Sequence, residues 1–410
     1  MGVEQEMSMR PFKRLLSREA ALKIIEENTH SIGRVERIKI TEASNRVIAQ
    51  DAVAGFNVPS FDRSSMDGYA VKAEDTFGAG NYSPLKLKLI GVQYAGETFD
   101  GEVQKGECLQ VATGSPIPKG SDAVVMVEYT RTEGSEVEIL RPAYPGANIS
   151  PEGEDIRTGD TVISAGDLLT PAKIGALAAL NRESVEAYER PKVGVYSTGS
   201  EVKPLGSELE PGHVYDINQY TLSTITEKNG CLPLMKGIIP DEREALKAAI
   251  KEASGFDLAV FSGGSSVGAR DLFADIVKEL GEVLFHGLQV KPGKPTLFGV
   301  VDGTPVFGMP GYPTSCLSNA YIFLAPSLRK LARFPPVEPR LVKARMASRF
   351  VSSSGREQFL TVKLEDGVAY QVFKKSGAIT SMANADGYIV LPVNLDVIEK
   401  GEEVTVTLLD

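Results

Sequence analysis

The sequence predicts a multidomain α/β plus β protein, and three observations carry that expectation. At 410 residues the chain is too long for one hydrophobic core, so about two to four domains are expected. From Val193 to Arg333 short apolar runs alternate with amphipathic helical patterns, which implies a doubly wound parallel sheet covered on both faces. From about Ala54 to Ala143, and again beyond Pro339, strands and turns predominate instead.

The elements follow in order. Residues 17–29 read as an amphipathic helix, with Ser17 as cap, Glu19 at its positive end and Ala21, Leu22, Ile24 and Ile25 on the apolar side. Strands are expected over Leu85 to Val92, Cys108 to Ala112, Ala123 to Tyr129 and Val137 to Leu140. Glycine and proline punctuate 142–166, after which Thr170 and Pro171 open a helix from Ala172 to Leu180 as cap and first residue. In the alternating region, Val193 to Tyr196 and Leu258 to Phe261 are buried strands. Asn218 is placed to cap the helix before Gly230, and Asp241 to cap Arg243 to Ala253. Leu272, Phe273, Ile276, Val277 and Leu280 share one face of the next helix, and Pro313 to Ala332 form the last. Phe334-Pro335-Pro336-Val337-Glu338-Pro339 is a linker. Asp366-Gly367 then marks a hairpin, and Glu403 to Leu409 a closing strand.

Composition narrows the function. A net charge of -10 argues against nucleic acid as the main partner, though not against a small anion held by a local field. Cys108, Cys231 and Cys316 are far apart and suggest no disulfide framework, so a reducing cytoplasm is expected. His30, His213 and His286 are equally scattered, which disfavours zinc or iron. No uncharged run approaches the ~20 residues that span a bilayer, so no membrane is expected as a partner.

Several strand ends carry the residues that chemistry needs. Leu258 to Phe261 runs straight into Ser262-Gly263-Gly264-Ser265-Ser266-Val267-Gly268 and then a helix. Such a junction gathers backbone N–H groups that suit a phosphate, and it also serves as an ordinary tight turn. Ser197-Thr198-Gly199-Ser200-Glu201 and Pro310-Gly311-Tyr312-Pro313-Thr314-Ser315 end two further strands, and Lys291-Pro292-Gly293-Lys294-Pro295 adds two lysines on a proline-stiffened loop. In an open α/β sheet, ligands sit at the carboxyl ends of the strands. Glu201, Asp216, Asp241 and Asp271 gather there too; they either cap helices or, bridged by Mg²⁺, face a phosphorylated substrate. Asp67-Gly68 is either a hairpin turn or an exposed acid with a glycine beside it for a ligand's approach. Thr113, in Ala112-Thr113-Gly114-Ser115, offers a hydroxyl at a strand end.

Taken together, PSFDRSSMDGYAV, ATGSPIP, GEDI (153–156), STGSE, SGGSSVG, VKPGKPT and MPGYPTSC resemble the molybdopterin molybdenumtransferases, relatives of the C-terminal half of gephyrin. The resemblance covers residues 10 to 410. It implies an elongated linking domain from 1–53 and 144–188, an inserted β domain at 54–143, a pterin-binding and nucleotide-binding α/β domain at 189–334 and a C-terminal β-barrel at 335–410. It also implies an elongated homodimer with a site shared between subunits, where Asp67 and Thr113 face the Gly264 loop.

The implied reaction inserts molybdate, or tungstate, into adenylylated molybdopterin with release of AMP. The pathway's adenylyltransferase is an implied contact. Asp67, Thr113, Asp155, Asp241 and Asp271 would be the catalytic set, and Glu201, Asp241 and Asp271 the Mg²⁺ ligands. Ser262, Gly263, Gly264, Ser265, Lys291, Lys294, Pro295, Pro310, Pro313, Ser315, Arg356 and Ser376 would join Glu201 in binding substrate, the lysines with Ser315 gathering the oxyanion. Ser65 stands where alanine is usual in the family, Tyr312 where asparagine is usual, and Thr361 where a basic residue is expected. Two rival readings are an adenylyltransferase with a similar α/β domain, which would not need the flanking domains, and a non-catalytic scaffold of the gephyrin type, which need not keep the acids and lysines.

Overall fold

The structure is a computed structural model and describes residues 15–263, 272–352 and 355–409. The chain divides into two compact units, one of residues 1–37, 45–47 and 186–410, the other of 38–44 and 48–185.

The second unit is built on a six-stranded sheet. Its order is Ala123–Met126, Gly68–Val71, Glu107–Val111, Leu85–Gln93, Glu136–Ile139 and Thr130–Glu133. Pairing is antiparallel except between Leu85–Gln93 and Glu107–Val111. Tyr69, Val71, Cys108, Val125 and Val137 pack on one face, and Ala70, Leu109, Val111 and Val124 on the other. That alternation follows the two-residue period of a strand. The helix Pro171–Ala179 starts as expected, with the Thr170 hydroxyl accepting the Lys173 N–H at 3.4 Å and proline in the first turn.

In the first unit, the α/β sheet has the order Leu232–Ile239, Lys192–Thr198, Leu258–Ser262, Thr304–Met309, Leu297–Val301 and Gly281–His286. The first four strands are parallel. The last two pairings are antiparallel, which corrects the wholly parallel sheet expected from the alternation. The reason is local. Asp302 and Gly303 both take positive φ, 48° and 83°, and turn Leu297–Val301 back on Thr304–Met309 as a hairpin.

Val193, Val195, Leu258, Val260 and Phe307 face one core, which also receives Ala21 and Ile25 of the helix Arg18–Glu27. Tyr196, Ala259 and Phe261 face the other, with Leu246, Ile250, Phe273 and Ile276 from the covering helices. There the rings of Tyr196 and Phe261 stack at 4.3 Å. Each buried Val, Leu, Ile or Phe among them contributes ~1.5–3 kcal/mol by leaving water.

The C-terminal strands Glu357–Glu365, Val368–Gln371, Leu341–Met346, Glu403–Leu408 and Gly387–Leu391 pair in that order, and the first and last pair with each other, closing a β-barrel. The expected Asp366-Gly367 hairpin is present, with φ of 48° and 76°. A sixth strand comes from outside it: Val290–Lys291 pairs in parallel with Glu357 and Gln358. Among the described residues, no helix is long and apolar enough to cross a membrane.

Candidate active site

Four parallel strands bring their carboxyl ends to one edge of the α/β sheet. Gly263 sits where three of the loops meet. Its φ is 92°, and a Cβ there would lie 2.4 Å from the Thr198 carbonyl oxygen, so only glycine fits. Its N–H donates to the Met309 carbonyl at 3.1 Å. A Cβ on Gly311 would lie 3.6 Å from the Gly263 Cα. Gly263 was expected to offer its N–H to phosphate, but that N–H is committed to Met309, and the residue's contribution is close approach. The Ser262 hydroxyl is likewise internal, 3.2 Å from the Ser197 hydroxyl, and the residue is 2 % exposed. Gly264, Ser265 and Asp271 lie outside the described residues.

A buried polar network stands behind these loops. Ser197 donates to Asp216 Oδ1 at 2.8 Å, and the same oxygen accepts the Gln219 N–H at 3.1 Å. Asp216 therefore caps the helix Asn218–Lys228, in place of the expected Asn218. Asn218 instead donates through Nδ2 to the Gly311 carbonyl at 2.8 Å, tying the helix start to the turn. Thr198 Oγ1 and Asn218 Oδ1 are buried without a partner among the described residues. Sequence reasoning did not single out either side chain for the site.

Asp241 does not cap the helix Arg243–Ala253. The residue at the cap is Glu242, without a side-chain hydrogen bond. Asp241 turns instead towards the neighbouring strand end. Desolvation, and then the nearby Glu201 carboxylate, push its pKa up, against a hydrogen bond from the Ser200 N–H. Glu201 folds over Gly199, where a Cβ would meet its carboxylate oxygens at 2.8 and 2.9 Å. A partly desolvated carboxylate with a second one beside it suits a cation. Their donor count fits Mg²⁺, which is held by one or two carboxylates and substrate phosphates. No cluster of three or more His, Cys, Asp or Glu that could hold a metal occurs among the described residues.

The lysine loop is fixed from two sides. Asn319 Nδ2 donates to the Gly293 carbonyl at 2.8 Å and to Thr296 Oγ1 at 2.7 Å. Gly293 is required, because a Cβ would lie 2.3 Å from the Asn319 amide. Lys291 belongs to the strand added to the barrel, and the Lys294 carbonyl accepts from Leu288 and Thr296 N–H. Lys291, Lys294 and Pro295 are half-buried. Asn319 lies one turn after the buried Ser315 on the helix Pro313–Asn319, so one helix carries Ser315 and positions the lysines. Pro310 is buried and Pro313 opens that helix. Ser376 arrives from the barrel, its carbonyl accepting the Thr314 N–H at 3.0 Å. Arg356 directly precedes Glu357, whose N–H donates to the Gln289 carbonyl at 2.9 Å, beside the added strand.

In the other unit, Asp67 and Thr113 are in contact. The Thr113 N–H donates to Asp67 Oδ1 at 2.8 Å, and a depression of about 240 Å³ opens beside Asp67, lined also by Tyr69, Gln93, Tyr94 and Val127. The hairpin reading of Asp67-Gly68 fails. Arg63–Ser64 and Gly68–Val71 do not pair with each other, and Gly68 is glycine because a Cβ would lie 2.1 Å from the Val125 carbonyl oxygen. Asp155 is at the other end of the same segment, its N–H on the Val58 carbonyl at 3.1 Å, and not at the Asp67 depression. Burial raises the pKa of all three cysteine thiols, that of Cys108 to about 12, so none is primed as a nucleophile.

Almost all of the α/β sheet lies within a stretch that matches a known family. Residues 194–330 match the family described as "Probable molybdopterin binding domain". Residues 16–181 match the MoeA N-terminal region (domain I and II), and residues 343–409 the MoeA C-terminal region (domain IV). The chain therefore belongs to the MoeA family. A molybdopterin molybdenumtransferase of Haemophilus influenzae is 33% identical, over 91% of this chain and 93% of its own. One of Staphylococcus aureus is 32% identical, over 91% of each. The crystal structure of a molybdopterin biosynthesis MoeA protein from Pyrococcus horikosii superposes with a TM-score of 0.81 at 40% identity, covering 96% of this chain and 99% of that one.

Proposed function

We propose that this protein is a molybdopterin molybdenumtransferase that takes adenylylated molybdopterin and molybdate, or tungstate, and releases AMP with the metal-loaded cofactor. The observation that carries the reading is the meeting of Thr198, Gly263 and Gly311 at one sheet edge, flanked by the Asp241–Glu201 pair. The glycines let a phosphorylated ligand approach the backbone. Backbone donors of Gly264 and Ser265 hold its phosphate, with Asp271 as a further acid of the site. Asp241 and Glu201 would hold Mg²⁺, which would supply charge screening at the phosphoanhydride. Lys291, Lys294 and Ser315 gather the oxyanion, with Arg356 and Ser376 beside them. With the cysteine thiols held protonated, this chain's residues act by positioning and charge stabilisation rather than covalent attack.

The reading includes a homodimer in which Asp67 and Thr113 of one protomer face the Gly264 loop of its partner, with Asp155 as a further acid of the catalytic set. Its support is the family resemblance. Light scattering that finds an active monomer would sink the shared site. Three unpaired cysteines support a cytoplasmic setting, which cell fractionation tests.

The central experiment incubates the protein with adenylylated molybdopterin, Mg²⁺ and either oxyanion. AMP release that depends on the oxyanion is expected. ATP consumption without oxyanion would instead identify an adenylyltransferase.

A further inference from the structure

The turn between the strand Thr304–Met309 and the helix Pro313–Asn319 holds one side chain for which the fold has no use. Tyr312 is extended, with φ -69 and ψ 126, and its carbonyl accepts the Cys316 N–H at 2.9 Å as the helix begins. Its backbone is therefore fixed. So is its surrounding: Asn218 donates to the Gly311 carbonyl, and Thr314 binds the barrel loop through its N–H on Ser376 and its hydroxyl on Ala378. Pro310 and Thr314, on either side of the turn, are buried. The Tyr312 side chain nevertheless stands out, and the residue is 68% exposed.

The ring is steadied on one side and open on the other. A Cβ on Gly377 would lie 3.6 Å from its Cδ1 and 3.8 Å from its Cε1, so the barrel loop lies alongside the ring in ordinary contact distance. The residue before it, Gly311, is the one that approaches Gly263. A rigidly based aromatic ring thus stands one residue along the chain from the glycine-lined cradle. A large exposed ring at such a place contributes little to the core, and a flat π face suits a flat partner.

We propose that Tyr312 is a stacking platform that receives the planar heteroaromatic ring of the substrate, adenine or pterin, while the cradle holds the adjoining phosphate. This rests on the function proposed above. Tyr312 is then a binding residue that selects for a ring-bearing phosphate ester over bare phosphate.

The test is calorimetric titration of the full-length protein with adenylylated molybdopterin, AMP and nucleotide-free molybdopterin, in wild type and in Tyr312→Ala, Tyr312→Leu and Tyr312→Phe. Losing one ring stack should weaken the adenylylated pterin by about 5- to 150-fold in the Ala and Leu variants. The Phe variant keeps the π face and should bind as wild type does. Thermal unfolding should be unchanged in all three, because the side chain is exposed. A matching loss for AMP assigns the ring as adenine, and a matching loss for nucleotide-free molybdopterin assigns it as pterin; either supports the platform. Wild-type affinity in both the Ala and the Leu variant overturns it. A wild-type protein that binds none of the three probes overturns the functional reading itself, and the platform with it.

Discussion

Gly263→Ala is the sharpest single perturbation of the cradle. The new Cβ would lie 2.4 Å from the Thr198 oxygen and 2.8 Å from its Oγ1, at a φ of 92°. The first of these atoms is backbone in a strand paired on both sides, so no flexible side chain can move away. Reaching the 3.0 Å that Cβ contacts respect needs the two strand ends to part by at least ~0.6 Å. Positive φ costs a non-glycine residue ~1–2 kcal/mol, and overpacking a further ~1–3, so a loss of ~2–5 kcal/mol is expected. For a domain of this size that is roughly 4–20 °C in the α/β transition. The protein has no tryptophan, so circular dichroism rather than indole fluorescence is the probe. A displacement near 1 Å at the cradle should also lower the rate ~10²-fold. Gly311→Ala is the internal control. Its nearest neighbour would be 3.6 Å away and its φ is not positive, so stability should stay within ~1 kcal/mol of wild type. If Gly263→Ala melts with wild type and keeps its turnover, the close-approach argument is wrong.

The remaining predictions are briefer. Asp241 has a raised pKa in the fold, so the folded state holds its proton more tightly than the unfolded chain. Its ionisation therefore weakens the fold as pH rises above the ordinary carboxylate value of 3.8, with the full penalty present above the folded pKa. Asp241→Asn should melt higher than wild type at neutral pH, equal it in strong acid and lose AMP release; a lower melting temperature at neutral pH would contradict this. Asp216→Ala strands the buried Ser197 hydroxyl and the Gln219 N–H, so thermal unfolding should show a loss of ~2–5 kcal/mol, and an unchanged melt would remove Asp216 from the network. Lys294→Ala should raise the molybdate requirement ~10- to 150-fold in an AMP-release titration while binding of the adenylylated pterin suffers less; an unchanged requirement would move the oxyanion towards Arg356 and Ser376. Asp67→Ala and Asp241→Ala should each be inactive alone. Co-expressed, they should recover about a quarter of wild-type activity through mixed dimers with one intact site, and no recovery would show that the site is not shared.

The strand ends were legible because a short uncharged run stopping at glycine and serine is a local signal. The Ser17, Thr170 and Asp366-Gly367 assignments succeeded for the same reason. Asp302-Gly303 carried an equally strong hairpin signal, but the surrounding alternation of strands and helices masked it. Asp216 and Asn218 are both capping residues two positions apart, and only the tertiary bond from Ser197 chooses between them. Asn319 had no local signature at all. Its hold on Gly293 spans 26 positions and depends on a helix lying against a loop. The Asp241–Glu201 pairing is equally non-local, because it comes from neighbouring parallel strands, Thr198 opposite Ile239.

The strand Val290–Lys291 has a consequence for how the molecule comes into being. Its partner on the barrel is made later, since synthesis runs from the amino end at ~5–20 residues per second. For some seconds a nascent chain can carry a finished α/β sheet and still lack the neighbour that aligns its first lysine. The lysine loop would thus reach its final setting only after the strand Glu357–Glu365 leaves the ribosome. A stop in translation before Glu357 would leave the α/β sheet without the barrel strand that Val290–Lys291 pairs with.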